Sequence, residues 1–245
     1  MMSAPSAACP HCGGTEWIVE SSDGRKIARP CACRDSRVRH ECLEAANIPE
    51  RYRDCNFQNF SDNHSSLTRA KEIAQEFVDM YPAVEAGLLL VGPAGRGKTH
   101  LACAVLSELA STKGVGGVYV DFSDLLMKIQ TSFRSDADFS KESILQPYAD
   151  AELLVLDELG ASKPHAWVLD VLYNLLNTRY NRKKITIVTS NFEDEPDAAA
   201  GERDRLEDRV GSRIRSRLFE MCLMVPLRGE DFRKTVVQRQ IRSQF

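Results

Sequence analysis

The segment from position 92 to position 99 reads Gly-Pro-Ala-Gly-Arg-Gly-Lys-Thr, and it constrains the fold more than any other part of the chain. It follows the apolar run Leu88–Val91 and precedes a stretch with helical spacing. Three glycines let the backbone curl, so that several N–H groups can point at one anion. A strand, a glycine-rich loop and a helix in this order predict a P-loop and therefore an α/β fold. The alternative is an ordinary glycine-rich turn between a strand and a helix.

The last two residues of this loop carry the chemistry expected of a triphosphate site. Lys98 would place a positive charge beside the β and γ phosphates, and the hydroxyl of Thr99 would bind Mg²⁺. The start of the following helix adds a favourable dipole. The predicted nucleotide contacts in this segment are Gly92, Pro93, Ala94, Gly95, Arg96, Gly97, Lys98, Thr99 and His100.

A second apolar run ends in two acids, because Leu153–Leu156 is followed directly by Asp157 and Glu158. A buried strand of a parallel sheet has such a continuous apolar run, and ligands bind at the carboxyl ends of these strands. We therefore expect Asp157 to hold Mg²⁺ through water. Glu158 would act as general base toward the water that attacks the γ phosphate. The alternative is a strand that ends in two solvated carboxylates.

Strands and helices alternate from Gly87 onward, which predicts a parallel five-stranded sheet. The predicted strands are Gly87–Val91, Gly117–Phe122, Leu153–Leu156, Ile185–Thr189 and Met221–Leu227, and the predicted helices are Lys98–Ser111, Ser123–Phe133, Trp167–Asn181 and Arg205–Phe219. Gly117–Phe122 lies between the strand before the phosphate loop and the strand before the acids. An extra strand between those two marks the additional-strand, catalytic-glutamate branch of the P-loop ATPases.

The fourth predicted strand ends in Thr189-Ser190-Asn191. In the catalytic-glutamate branch, a polar side chain here orients the attacking water against the γ phosphate, and we assign this role to Asn191. The alternative is a polar strand end that only leads into a loop. Together with the two motifs above, this segment predicts an enzyme that hydrolyses a nucleoside triphosphate.

Five arginines lie in the predicted helix that begins at Arg205. On one continuous helix, residues 205, 209 and 213 would share a face, and Arg217 would continue it. One interpretation is a solvated basic face that pairs with neighbouring acids. The other is an arginine finger that reaches the γ phosphate of an adjacent subunit, with Arg217 as the first candidate and Arg213 as the second. The finger would require a homo-oligomer, whereas Arg233 could reach the nucleotide of its own chain.

Four cysteines near the amino terminus form two close pairs, Cys9-Pro-His-Cys12 and Cys31-Ala-Cys33. Four thiolates at this spacing suit a tetrahedral structural Zn²⁺. The first 40 residues contain few large apolar side chains, so a metal ion would help them to fold. His11 could replace one cysteine as a ligand, and reduced or redox-active thiols are the alternative to a zinc site.

These features divide the chain into a zinc-binding module at residues 1–40, a linker with a helix at 41–85 and an ATPase domain at 86–245. No apolar run approaches the roughly 20 residues that span a membrane, and residues 1–8 lack the features of a signal peptide. We therefore expect a cytoplasmic location without membrane partners. The net charge of −3 argues against nucleic-acid affinity spread over the whole surface.

Several segments together resemble one family. They are residues 92–101, 153–160 and 189–191, the run Arg213-Ile-Arg-Ser-Arg-Leu, and the linker run Ala46-Asn-Ile-Pro-Glu-Arg-Tyr-Arg that leads to Phe57-Gln-Asn-Phe. Over about residues 40–240, the chain resembles the AAA+ helicase loaders DnaC and DnaI and their relatives, the IstB transposition ATPases. The resemblance implies an AAA+ domain that takes ATP as its nucleotide.

The resemblance also implies partners. The loaders engage a hexameric replicative helicase through the N-terminal region and bind single-stranded DNA. Phe133 and Arg134 correspond to the region where the family contacts DNA, and Lys163 and Trp167 are further candidates, because stacking and positive charge hold single strands. Phe133 could equally be a core residue, since it continues a helical apolar stripe. Because the sequence ends at Phe245, we expect no helical lid domain, as in the loaders and IstB.

Three functions remain open from the sequence. The favoured one is a helicase loader whose zinc-stapled N-terminal module grips the helicase, as the resemblance to DnaI implies. The second is an IstB-like transposase helper that binds duplex DNA as a filament. The third is a nucleotide-binding interaction module with little turnover, and Glu158 and the candidate finger argue against it. Hydrolysis is expected to be weak unless the protein is assembled with DNA or a partner.

Overall fold

The computed structural model describes residues 9–22, 25–132, 141–161, 165–194 and 205–234. Near the amino terminus, strand β1 (Trp17–Ser22) pairs with strand β2 (Arg25–Pro30) in an antiparallel ribbon that was not predicted from the sequence. Helix α1 (Ala32–Ala45) follows directly. Because α1 runs across residue 40, the proposed division of the chain at residues 40 and 85 stays a prediction.

The remaining elements alternate as an α/β core. They are a 3₁₀ turn at Glu50–Tyr52, α2 (Ser65–Met80), β3 (Gly87–Val91), α3 (Lys98–Glu108) with a π-helical turn at Leu109–Lys113, β4 (Gly117–Asp121), α4 (Phe122–Ser132), α5 (Lys141–Asp150), β5 (Leu153–Leu159), α6 (Ala166–Asn181), β6 (Ile185–Ser190), α7 (Leu206–Val210), α8 (Ser212–Met221) and β7 (Cys222–Pro226). Within the described ranges, no helix combines the length and the apolar character needed to cross a membrane.

The five core strands form one parallel sheet in the order β4-β5-β6-β3-β7, which confirms the predicted fold class. The strand that separates β3 from β5 is β6, and β4 lies at the edge of the sheet beside β5. The prediction that Gly117–Phe122 lies between the two nucleotide-binding strands was therefore wrong, because β6 occupies that position. Order along the chain does not give order in a sheet whose strands are joined by crossovers.

The apolar runs form strands that are covered by helices on both faces, as parallel strands require. Every residue of β3 is buried. Leu88 and Leu90 face a core that contains α2, α3 and the linker before them. Leu89 and Val91 face a second core that contains α4, α5, α6 and α8. The two cores fix the carboxyl ends of β3, β5 and β6 at one edge, where the candidate site lies.

The predicted helix Arg205–Phe219 is two helices in the structure. Gly211 separates α7 from α8 with a φ of +78°, a value that residues with a β carbon rarely adopt. The expectation that the arginines from Arg205 to Arg217 share one helical face was therefore wrong. The helical period does not continue through the break. The positions of the arginines before Gly211 therefore do not determine the directions of the arginines after it.

The linker between α1 and α2 packs against the core. Phe57 and Phe60 are buried, and the carbonyl oxygen of Asn56 lies 3.0 Å from Nε2 of His100 on α3. At the start of α2, Oγ of Ser66 donates to the carbonyl of Pro226 at 3.0 Å. The same oxygen accepts a hydrogen bond from the N–H of residue 228 at 2.7 Å. The start of α2 is thus joined to the end of β7 and to the segment that follows it.

Candidate nucleotide-binding site and cysteine cluster

The loop between β3 and α3 depends on its glycines. Gly92, Gly95 and Gly97 have φ values of +140°, +80° and +85°, which a side chain would make unfavourable. A β carbon on Gly97 would also lie 2.7 Å from Cε2 of Phe60. The loop conformation and the linker ring packed against it therefore both require glycine at this position.

Lys98 begins α3 and is almost completely buried. Its Nζ donates to the carbonyls of Gly92 at 2.7 Å and Pro93 at 2.9 Å, and to Oδ1 of Asn191 at 2.7 Å. Burial lowers the pKa of Lys98 to about 8, although nearby carboxylates oppose the shift. The ammonium group is thus held by neutral acceptors, and a phosphate group could replace them with a charged partner.

Asp157 is buried at the carboxyl end of β5 and accepts hydrogen bonds on both carboxylate oxygens. Its Oδ1 accepts from Oγ1 of Thr99 at 3.0 Å and from the hydroxyl of Thr189. Its Oδ2 accepts from the hydroxyl of Tyr119 at 2.7 Å. The acid after β5 and the hydroxyl of the phosphate loop therefore meet, as the sequence predicted.

Two of the residues around Asp157 were not predicted from the sequence. Side chains alternate along a strand, so Thr189 lies on the same side of β6 as Asn191, and this spacing could have identified it. Tyr119 left no such signal. It lies in the middle of β4, and only the pairing of β4 with β5 brings it to Asp157.

Glu158 has a left-handed backbone conformation with a φ of +56°. Its N–H donates to Oγ1 of Thr189 at 3.0 Å. Its side chain is exposed and lines the same cleft as the phosphate loop. Partial burial and the negative charges of Asp121 and Asp157 raise the pKa of the Glu158 carboxyl above its ordinary value. An accessible carboxylate of raised basicity is suited to accept a proton from water.

A cleft of about 290 Å³ joins these parts. The predicted contacts from Ala94 to His100 line it, together with Glu158, Asn191 and Arg233. Gly92 and Pro93 contribute through their carbonyls, which hold the ammonium group of Lys98. The linker forms the opposite wall, from which Tyr52 and Phe60 face the loop. The cleft thus has a phosphate-binding end and a wall with aromatic side chains.

The donor set beside the phosphate loop fits Mg²⁺. A hydroxyl oxygen of Thr99 and a carboxylate oxygen of Asp157 lie 3.0 Å apart. Mg²⁺ prefers such hard oxygen ligands, and it is usually held by one or two carboxylates, water and substrate phosphates. The two oxygens could therefore hold the ion of a bound nucleotide, with Thr99 as a direct ligand and Asp157 acting directly or through water.

The candidate arginine fingers have different surroundings. Arg217 donates to Oδ1 of Asn177 and lies 4.2 Å from the ring centroid of Tyr180, so it packs against α6 of its own chain. Arg213 is exposed on α8. Arg233 is exposed and lines the nucleotide cleft of its own chain. Which of these guanidinium groups reaches a phosphate stays a prediction.

The DNA candidates are only partly described. Phe133, Arg134 and Lys163 lie outside the described residues. Trp167 lies on α6 and packs, partly buried, against the core formed with α4, α5 and α8. The packing of Trp167 explains its presence on structural grounds, so a role in DNA binding stays a prediction.

The four amino-terminal cysteines converge into one cluster. The sulfur atoms of Cys9, Cys12, Cys31 and Cys33 all lie within 4.8 Å of one another. The Cys9–Cys31 and Cys12–Cys33 separations are 3.8 Å and 3.5 Å. A tetrahedral zinc site with Zn–S bonds of about 2.3 Å has sulfur atoms about 3.8 Å apart. The cluster therefore fits Zn²⁺ with four cysteine ligands, and His11 is not part of it.

The fold and the site together define the class of this protein. A phosphate loop follows β3, a pair of acids lies at the carboxyl end of β5, and β6 lies between the two strands. The chain is therefore a P-loop NTPase of the AAA+ type. The sequence profile of the family described as IstB-like ATP binding protein matches residues 3–240, so the chain belongs to that family.

Individual proteins that are similar to this chain share about a quarter of its residues over the aligned regions. The replicative helicase loader DnaC of Escherichia coli K12 is 24% identical over 204 residues, which cover 82% of this chain and 82% of that protein. The phage-like element PBSX protein XkdC of Bacillus subtilis 168 is 26% identical over 225 residues, 87% of this chain and 79% of that protein. A crystal structure of the DnaC helicase loader superposes with a TM-score of 0.64 at 28% identity, covering 74% of this chain and all of that chain.

Proposed function

We propose that this protein is an ATPase that loads a replicative DNA helicase onto single-stranded DNA. It would bind ATP with Mg²⁺ and hydrolyse ATP as a homo-oligomer in the cytoplasm. The observation that carries the proposal is the convergence of Lys98, Thr99, Asp157, Glu158 and Asn191 at one end of a single cleft. The similarity to DnaC, a replicative helicase loader, supports the choice of partner.

The catalytic roles follow from the side-chain environment. Lys98 would exchange the loop carbonyls for phosphate oxygens, and Asn191, released from Lys98, would orient the attacking water. Glu158 would take the proton of that water, because its carboxylate faces the cleft and its basicity is raised. Mg²⁺, held by Thr99 and Asp157, would neutralise the charge that develops on the phosphates.

The proposed oligomer would complete the site with a guanidinium group from a neighbouring subunit. Arg217 keeps its place as first candidate, and it would have to leave Asn177 to reach a phosphate. Arg213 needs no such rearrangement, because it is already exposed. Arg233 would act on the nucleotide of its own chain, since it lines that cleft.

The cysteine cluster would form the part that contacts the helicase. It lies at the end of the ribbon and α1, outside the α/β core, where a zinc ion would stabilise a segment with few buried apolar residues. Single-stranded DNA would contact Phe133 and Arg134, with Lys163 and Trp167 as further contacts.

A second function is favoured by one observation. The matching family profile is that of IstB-like proteins, over residues 3–240. An ATPase that assists a transposase and binds duplex DNA would use the same nucleotide chemistry. The two functions differ in the DNA form and in the protein partner.

The partner test uses the full-length protein and the replicative helicase of the same host. Truncation at residue 40 would cut through α1, so the comparison variant is Cys12→Ser with Cys33→Ser, which disrupts the cluster. We expect the wild type to capture the helicase in a pull-down and the double variant to lose capture while it still binds ATP. Equal capture by both proteins would refute the assignment of the cysteine module.

DNA binding separates the two functions. Fluorescence anisotropy with single-stranded and duplex oligonucleotides of equal length, with and without ATP, would show which form is preferred. We expect ATP to tighten binding to the single strand. ATP-dependent preference for the duplex, together with no capture of the helicase, would refute the loader function and support the transposase helper.

A further inference from the structure

The two oxygens of the Asp157 carboxylate have different surroundings. Oδ1 faces the phosphate loop and accepts from Thr99 at 3.0 Å and from the hydroxyl of Thr189. Oδ2 faces the neighbouring edge strand and accepts from the hydroxyl of Tyr119 at 2.7 Å. A carboxylate anchored through one oxygen presents the other in a fixed direction.

Tyr119 is itself held firmly. Its side chain is buried in the core formed with α3 and the linker. Its N–H donates to the carbonyl of Ala46 at 2.8 Å, and its carbonyl accepts from Nδ2 of Asn47 at 3.4 Å. The phenol hydroxyl is the donor in its bond to Oδ2 of Asp157, because a carboxylate oxygen can only accept.

The two sides of Asp157 would respond differently to a nucleotide. The oxygen of the Thr99 hydroxyl would bind the metal of a bound nucleotide, so the bond that Thr99 donates to Oδ1 would have to change its geometry. The bond from Tyr119 to Oδ2 lies on the other side of the carboxylate and has no reason to break. Together with the bond from Thr189 to Oδ1, it would prevent the carboxylate from rotating.

We infer that Tyr119 is a positioning residue that aims the Asp157 carboxylate at the magnesium ion of bound ATP. The inference rests on the proposed function, because it presumes that Asp157 holds that ion. Tyr119 would act only through Asp157, since the phosphate-loop cleft is not lined by Tyr119. Groups that orient a metal ligand typically change metal affinity by about tenfold to a hundredfold when they are removed.

The chain offers a matched control. Tyr81 is also buried, and its hydroxyl donates to a carboxylate, Oε1 of Glu152, at 2.9 Å. Glu152 precedes β5, at the end of the strand opposite Asp157. Tyr119→Phe and Tyr81→Phe therefore each remove one hydroxyl–carboxylate bond made by a buried tyrosine, and only the first bond is near the phosphate loop. Thermal unfolding of both variants would show whether they are folded and how much stability each has lost.

The experiment measures the binding of a fluorescent ATP analogue by the full-length protein as a function of Mg²⁺ concentration, with a parallel titration in EDTA. For Tyr119→Phe we expect the half-saturating Mg²⁺ concentration to rise about tenfold or more. Affinity for the analogue in EDTA should stay close to that of the wild type. Tyr81→Phe should leave both values unchanged.

Two results would overturn the inference. One is a Mg²⁺ dependence of Tyr119→Phe that equals that of Tyr81→Phe. The other is a loss of affinity that is equally large in EDTA, because this would show a general effect on folding of the loop. If the wild type itself binds the analogue without any response to Mg²⁺, the proposed function fails, and this outcome differs from both of the others.

Discussion

The substitution Glu158→Gln tests the hydrolytic chemistry directly. The amide has the shape of the carboxylate but does not accept a proton from water. In the described part of the chain, the Glu158 side chain is exposed to the cleft and makes no hydrogen bond, so the substitution leaves no buried partner behind. The free energy of unfolding should therefore change by less than about 0.5 kcal/mol.

The expected loss lies in the chemical step. General bases contribute about 10²-fold to 10⁴-fold to rates, which corresponds to roughly 3–5 kcal/mol of activation free energy. The assay is single-turnover hydrolysis of labelled ATP in the presence of single-stranded DNA and the helicase. Binding of the same nucleotide is measured separately by calorimetry and should stay within about twofold of the wild type, because the side chain does not hold the phosphate loop.

A second carboxylate, just before the start of the same strand, provides the control. Glu152 precedes β5, at the end remote from the phosphate loop. Glu152→Gln should keep wild-type turnover. If Glu158→Gln hydrolyses ATP as fast as the wild type, Glu158 is not the general base, and a protein that binds nucleotide without using this acid would be the better description.

Three further predictions concern the same site and the cysteine cluster. Lys98→Ala should abolish nucleotide binding in calorimetry, because it removes the charge at the phosphate loop; retained binding would show that the loop amides suffice. Arg217→Ala should leave nucleotide affinity unchanged but remove hydrolysis that is stimulated by DNA or the helicase. Retained stimulation would transfer the finger role to Arg213 or Arg209. The purified protein should contain one zinc ion per chain by elemental analysis, and its removal by a chelator should abolish helicase capture while ATP binding persists. A freshly purified protein without zinc would refute the cluster as a zinc site.

The parts that the sequence predicted are those in which local sequence alone fixes the structure. The phosphate loop is such a case, since its glycines, lysine and threonine are contiguous and determine both backbone and chemistry. The strand before Asp157 is another, because a parallel strand that is buried on both faces has a continuous apolar run. Both segments form as expected, and their polar ends meet at the bond between Thr99 and Asp157.

The parts that the sequence did not predict depend on which elements become neighbours. The order of strands placed β6 between β3 and β5, and Tyr119 reached Asp157 only through strand pairing. Gly211 was visible in the sequence, but a helix can tolerate one glycine, so the break was missed. The amino-terminal ribbon was missed because its strands are exposed on both faces and lack the alternation that marks a half-buried strand.

Helix α1 connects the cysteine cluster to the edge of the sheet. It has 14 residues and therefore extends about 21 Å. It is attached near its carboxyl end, where Sγ of Cys42 donates to the carbonyl of Gly114 at 3.2 Å and Ala46 accepts from the N–H of Tyr119. Helix α1 is thus fixed at its carboxyl end, beside β4, and extends from there to the cysteine cluster. A helicase that bound the cysteine cluster, as proposed, and tilted α1 would act on β4. If that tilt changed the affinity for ATP by a given factor, reciprocity would require bound ATP to change the affinity for the helicase by the same factor.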